Sequence, residues 1–123
     1  MKAIIVYNTA TGHTRFIADR MKEILEKYKH ECVVHRDKSI KNEVSVNQHY
    51  FDAYNLICLG SCTHGSSPAS SFKKFLQSIK NYDLKEKSLI CFSSSASPND
   101  WKHTCDTIKK FFPDTRHIGK LLN

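Results

Sequence analysis

Apolar residues recur along this chain in two alternating rhythms. Residues 3–7, Ala-Ile-Ile-Val-Tyr, form an unbroken apolar run too short for a buried helix and β-branched enough for a strand covered on both faces. Behind it Phe16, Ile17, Met21, Ile24, Leu25 and Tyr28 follow at helical spacing. Residues 31–36, Glu-Cys-Val-Val-His-Arg, have the length and branching of a second strand, so the first helix crosses between two parallel strands. From 37 to 53 the pattern weakens, and Val44, Val46, Tyr50 and Phe51 support at most a short helix in a long connection. A third strand is predicted over 55–59, Asn-Leu-Ile-Cys-Leu. A small, polar loop from Gly60 to Pro68 follows it, and then a helix with Phe72, Phe75, Leu76 and Ile79 inward, ending at Asn81. The theme repeats with a strand over 88–92, a polar loop over 93–100 and a helix carrying Trp101, Cys105, Ile108, Phe111 and Phe112 inward. Asn99 or Asp100 can cap that helix, and Pro113 ends it. His117, Ile118, Leu121 and Leu122 predict a fifth strand over 116–122.

The chemistry concentrates where strands hand over to helices. Thr9, Thr11 and Thr14 surround Gly12 at the first such turn. The leading N–H groups of a helix lack intrahelical partners and carry the positive end of its dipole, so an anion fits there. A glycine that permits close approach and hydroxyls that add donors suit a single phosphate group. Alternatively, Thr11 or Thr14 simply caps the helix. Three times a strand ends in a loop rich in Ser, Thr and Gly that opens a helix. In a parallel sheet all three loops emerge on one edge, where they can converge on one ligand.

The length of 123 residues, 40% apolar and 11% aromatic, predicts a single folded domain over 1–123 and excludes a disordered tail. No apolar segment approaches the roughly 18 residues that span a bilayer. The N-terminus enters the first strand without a charged leader, and the expected location is cytoplasmic. The five cysteines form no Cys-x-x-Cys pair, and their odd number cannot close a complete disulfide set, so reduced thiols in the core are expected. His103-x-Cys105 is the only tight His/Cys pairing among seven scattered histidines, and on a helix the two point to different faces; no metal site is expected. A formal charge of +7 suits an acidic partner. Lys73, Lys74, Lys80, Lys102, Lys109 and Lys110 are spread over helix faces without a basic run or an aromatic RNA-binding signature. That is the pattern of a solvated basic face and not of a nucleic-acid site.

The residues just described resemble a short flavodoxin. Thr9-Ala-Thr-Gly-His-Thr14 after Ile4-Ile-Val-Tyr7 is similar to that family's phosphate loop, Tyr54-Asn-Leu-Ile-Cys-Leu-Gly-Ser-Cys-Thr-His-Gly65 to its third strand and first flavin loop, and Phe92-Ser-Ser-Ser-Ala-Ser-Pro98 to its second flavin loop. The resemblance implies an α/β three-layer sandwich with a parallel five-stranded sheet in the order 2-1-3-4-5. It also implies an FMN cofactor and electron transfer to redox partner proteins. Thr9, Ala10, Thr11, Gly12, His13 and Thr14 would hold the phosphate. Ser61, Cys62, Thr63, His64 and Gly65 would flank the isoalloxazine on one side, and Ser93, Ser94, Ser95, Ala96 and Ser97 on the other. The Gly65-Ser66 peptide would lie near flavin N5, where a glycine can turn its carbonyl toward the ring and favour one-electron steps. No side chain is needed as acid, base or nucleophile, and the turn lacks the Gly-x-Gly-x-x-Gly of a dinucleotide site.

Three departures from the family pattern carry expectations of their own. His64 and Trp101 replace the usual aromatic sandwich, and the helical pattern places Trp101 in the core. No counterpart of the family's final helix follows Asn123, so the sheet face it would cover predicts self-association or a covering partner. Typical flavodoxins are acidic, whereas a +7 chain with His13 and Arg15 at the phosphate predicts a less negative potential for the last reduction step. An electron carrier is therefore expected ahead of a flavin enzyme of quinone-reductase or protoporphyrinogen-oxidase type, or of a flavin-free interaction module.

Overall fold

The computed structural model describes residues 1–9, 12–64, 67–94, 101–113 and 115–122, and at 63, 64, 67, 101, 102 and 117–122 the description is of the backbone. Strand β1 (Lys2–Asn8) leads to helix α1 (His13–Lys27) and strand β2 (Glu31–Arg36), which runs directly into α2 (Asp37–Val46). Strand β3 (Leu56–His64) is followed by the two-residue β4 (Ser67–Pro68) and by α3 (Ser70–Ile79); β5 (Ser88–Ser94), α4 (Trp101–Phe111) and β6 (Arg116–Leu122) complete the described order. The main sheet is ordered β2-β1-β3-β5-β6, all parallel, which is the expected 2-1-3-4-5 order once the short β4 is set aside.

Burial on both faces explains why the strands read as continuous apolar runs rather than alternating ones. On one side Ile4, Val6, Ile57, Leu59, Leu89 and Cys91 meet α2, α3 and α4 through Ile40, Val44, Phe72, Phe75, Leu76, Ile79 and Ile108. On the other, Ala3, Ile5, Tyr7, Cys58 and Phe92 meet α1 through Ala18 and Met21. Helices on both faces of a parallel sheet make the expected three-layer sandwich.

Several boundaries differ from the sequence expectation. The weak segment after β2 is a ten-residue helix. Ile40 and Val44 supply its inward face, with the ring of Phe51 in the same core. The stretch expected as a loop from Gly60 is instead strand as far as His64, where β4 returns antiparallel with Thr63 opposite Pro68. Gly60 has a packing reason to be there, because a Cβ at that position would lie 2.2 Å from Cε2 of Phe92 on the neighbouring strand. On α1 the buried residues are Thr14, Ala18 and Met21, whereas Phe16 and Tyr28 of the expected stripe are 71% and 68% exposed. The helix is turned so that Thr14 faces β5, where its hydroxyl is hydrogen-bonded to that of Ser94 at 2.8 Å.

The cysteines also depart from expectation. Cys91 on β5 and Cys105 on the inward face of α4 form a disulfide, with Cα atoms 5.5 Å apart, a separation that a disulfide spans without backbone movement. Cys32, Cys58 and Cys62 remain thiols. Burial pushes the Cys58 thiol up to about 12, with Cys32 adding to the effect, and burial likewise raises Cys32. Both behave as small core hydrophobes.

Candidate functional site

The parallel register brings the strand ends together. Asn8 of β1 lies opposite Ser61 of β3, and Ser61 lies opposite Ser93 of β5, with Cys62 opposite Ser94 one step further. The three strand ends that the sequence singled out therefore open side by side at the carboxyl edge of the sheet, where open α/β sheets bind ligands.

At the first of these ends, α1 begins behind Gly12, which adopts a left-handed conformation (φ 92°) and leaves the helix without a side-chain cap. Space is open on that side, since a Cβ built on Gly12 meets nothing within 4 Å. The Gly12 N–H donates to Thr9 Oγ1 at 2.8 Å, and the Gly12 carbonyl accepts the Phe16 N–H at 3.0 Å. Neither Thr9 nor Thr14 caps the helix: Thr9 braces the turn, and Thr14 is fully buried against Ser94. Among the described residues the N-terminus of α1 therefore has no side-chain cap, and the exposed side chains of His13 and Arg15 stand beside it. Such a terminus presents N–H donors and positive potential to an anion, so the residues present fit the phosphate of a mononucleotide.

Beneath the turn lies a polar network that the sequence reading missed. Asn8 donates from Nδ2 to Asp37 Oδ2 at 2.9 Å and to Ser71 Oγ at 2.6 Å, and its Oδ1 accepts from Cys62 Sγ at 3.9 Å. One side chain at the end of β1 thereby ties together the starts of α2 and α3 and the last part of β3. Asp37 is 1% exposed and also accepts the Lys38 N–H at 2.8 Å, so its buried carboxylate has partners on both oxygens. Arg36, the last residue of β2, donates from Nη2 to the Thr9 carbonyl at 3.0 Å and braces the phosphate turn from outside. The sequence signal, a polar Asn ending an apolar strand and an Asp opening the next helix, was available but reads equally as ordinary capping.

On the second and third strand ends the expected residues take separate parts. Ser61 is buried, donates to the Cys62 carbonyl at 2.9 Å and accepts the Ala69 N–H at 3.3 Å, which fixes the mouth of the β3–β4 hairpin. Cys62 is half-buried beside Asn8. Thr63 and His64 continue the β3 backbone. Ser93 donates to Thr104 Oγ1 at 3.5 Å, joining β5 to α4. Ala10, Thr11, Gly65, Ser95, Ala96 and Ser97, with the Gly65-Ser66 peptide, lie outside the described residues, as does the side chain of Trp101.

The same fold recurs in solved structures. A flavodoxin from Streptococcus pneumoniae superposes with a TM-score of 0.80 at 17% identity, over 100% of this chain and 85% of that one. Flavodoxin 2 from Bacillus cereus gives 0.80 at 23%, over 99% and 84%. A Fusobacterium nucleatum flavodoxin bound to flavin mononucleotide gives 0.76 at 13%, over 95% and 68%. No curated protein sequence matches the chain. A family model of the flavodoxin domain matches residues 4–118, nearly the whole of the sheet and helices that build the site, and the chain belongs to the flavodoxin domain family.

Proposed function

We infer that this flavodoxin-domain protein binds FMN at the carboxyl edge of its sheet and transfers electrons between redox partner proteins. The observation that carries the inference is the alignment of Asn8, Ser61 and Ser93 in one row of the sheet, beside the uncapped N-terminus of α1. When bound, FMN supplies reversible electron transfer. The chain's own residues hold and orient it. The α1 N-terminus and the Gly12, His13 and Thr14 region receive the phosphate, with Ala10 and Thr11 completing the turn. The backbone around Cys62, Thr63, His64 and Gly65 and that around Ser94, Ser95, Ala96 and Ser97 take the two sides of the ring. The side chains of Ser61 and Ser93, buried in the strand ends, fix where those loops start. No buried acid or base among the described side chains is required for the chemistry, which favours relay over turnover of a substrate.

The partner surfaces follow from charge and exposure. Lys73 and Lys74 stand in the first half of α3, which carries no acidic residue, so partners presenting acidic surfaces at the sheet edge are favoured. Ile24 of α1 and Tyr28 just after it are 46% and 68% exposed, and with half-buried Ile90 of β5 they are proposed to contribute to a face that pairs two copies. Sedimentation at rising concentration tests the pairing, and a monomer throughout would refute it. No helix among the described residues is long and apolar enough to cross a membrane, and function in the cytoplasm is proposed.

Reconstitution tests the central inference. Titration of FMN into the apoprotein should quench flavin fluorescence to a one-to-one endpoint and yield a yellow protein, with riboflavin binding more weakly for lack of the phosphate. A colourless protein that leaves FMN fluorescence unchanged would refute it.

A further inference from the structure

Asn8 ends a strand in which Ala3, Ile4, Ile5 and Val6 are fully buried, and it is itself buried, as is Asp37 at the start of α2. A buried charged group with hydrogen-bond partners stabilises a fold no better than well-packed apolar residues of similar volume, since its desolvation offsets the contact. What such a pair adds is direction, because each of its atoms accepts only one kind of partner.

The donors and acceptors here fit in one way only. A carboxylate only accepts, and both oxygens of Asp37 are taken, Oδ2 by Asn8 Nδ2 at 2.9 Å and Oδ1 by the Lys38 N–H at 2.8 Å. The Asn8 amide must therefore present its nitrogen to Asp37. The second N–H of that nitrogen goes to Ser71 Oγ at 2.6 Å, and the amide oxygen is left to face Cys62 of β3. Turning the amide over would set its oxygen against the carboxylate. The neighbouring residues repeat the contact: Arg36, just before Asp37, donates from Nη2 to the carbonyl of Thr9, just after Asn8, at 3.0 Å. Two consecutive residues where β2 meets α2 thus hold two consecutive residues where β1 leads into the turn before α1. Thr9 Oγ1 in turn accepts the Gly12 N–H at 2.8 Å, which refers the start of α1 to the same anchor.

We propose that Asn8 and Asp37 are a positioning pair for the phosphate of FMN, acting through Thr9 and Gly12 to set where the α1 N-terminus stands relative to β3, and so determining the preference for FMN over riboflavin. The inference rests on the FMN reading above. The effect falls on the phosphate rather than on the ring because Asn8 leads directly into the turn that precedes α1. Hydrogen bonds from a helix N-terminus to an anion weaken steeply once their geometry is disturbed, so a displaced turn loses phosphate affinity first.

The test titrates FMN and riboflavin separately and reads the ratio of the two affinities, which a general loss of stability leaves unchanged. Asn8→Asp keeps the shape but sets two carboxylates face to face. Asp37→Asn keeps the shape but turns an amide nitrogen toward either the Asn8 nitrogen or the Lys38 N–H. Each should lower the ratio about tenfold or more, the scale of one hydrogen bond to a charged group. The Asn8→Asp, Asp37→Asn double variant exchanges donor for acceptor: the new amide can donate to the new carboxylate and still accept the Lys38 N–H, while the Ser71 hydroxyl turns its hydrogen toward position 8. It should bring the ratio back to within about threefold of wild type. A lowered urea midpoint with an unchanged ratio, or a double variant no better than the single ones, would overturn the proposal. If the single variants do not fold, the wild type decides by NMR. Saturating FMN should slow hydrogen exchange of the Asn8 side-chain amide more than saturating riboflavin does, by linkage between turn and phosphate, and equal slowing would overturn the pair's role. A wild type that takes up no FMN would overturn the FMN reading and this proposal together, whereas a yellow wild type with unchanged ratios in the variants overturns the proposal alone.

Discussion

Gly60 is where packing of the fold and shape of the site meet most tightly. It lies opposite Phe92 between β3 and β5, one residue before the Ser61–Ser93 pair, and a Cβ there would stand 2.2, 2.3 and 2.4 Å from three ring carbons of Phe92. Ordinary contact begins near 3.4 Å, so in Gly60→Ala the ring must retreat by about an ångström. Phe92 is completely buried in the core layer that includes Ala18 and Met21 of α1, and close packing of such interiors leaves a ring little room to retreat. Overpacking of this kind costs about 1–3 kcal/mol. For a chain of this size that lowers the melting temperature by about 4 °C per kcal/mol. Urea unfolding should show a lower midpoint at unchanged slope, and because Phe92 precedes Ser93 and Ser94, FMN affinity should fall too. Phe92→Leu removes the clashing ring atoms at a cost of about 1 kcal/mol by itself, so the Gly60→Ala, Phe92→Leu pair should be more stable than the sum of the single losses by about 1 kcal/mol or more. An unchanged midpoint in Gly60→Ala, or strict additivity in the pair, would refute the reasoning.

Other substitutions and conditions probe separate parts of the structure. Thr14→Val keeps the shape but strands the Ser94 hydroxyl, 5% exposed, without its partner on α1; it should cost about 1–2 kcal/mol in urea unfolding and weaken FMN binding. A loss confined to stability would detach Thr14 from the site. For Cys58, the folded thiol titrates at about 12 against 9.0 for an unperturbed cysteine. Folded protein therefore retains a proton that unfolded chain loses. The stabilisation is complete below pH 9 and erodes at about 1.4 kcal/mol per pH unit above it. Cys58→Ala should be less stable at neutral pH but flatten that alkaline slope, and an unflattened slope would place the titration elsewhere. The final reduction of bound FMN should occur at a less negative potential than in acidic flavodoxins, and added salt should lower it as the +7 charge is screened; spectroelectrochemistry showing an ordinary, salt-independent potential would refute this.

Much of the architecture is legible in one dimension because strands buried on both faces write continuous apolar runs, and helices packed on them write a 3.6-residue stripe. Residues 3–7, 31–36 and 116–122 mark β1, β2 and β6 almost to the residue, and the glycine-containing threonine turn marks the start of α1. Residues 37–46 were harder, since α2 owes its existence to Ile40 and Val44 docking on a core supplied by other segments. The extension of β3 to His64 was likewise hidden, because it depends on pairing with β5 and with Ser67–Pro68.

Sequence alone determined the layer architecture, the row of polar strand ends and the family resemblance, all of which follow from local spacing. Only the tertiary structure decided which partners meet. The Thr14–Ser94 and Asn8–Asp37 contacts span 80 and 29 residues, and the Cys91–Cys105 bond depends on β5 and α4 facing each other at a distance that a disulfide can bridge. Spacing along a chain specifies periodicity, whereas pairing between distant residues is set by sheet register and helix rotation, which exist only after the layers have packed.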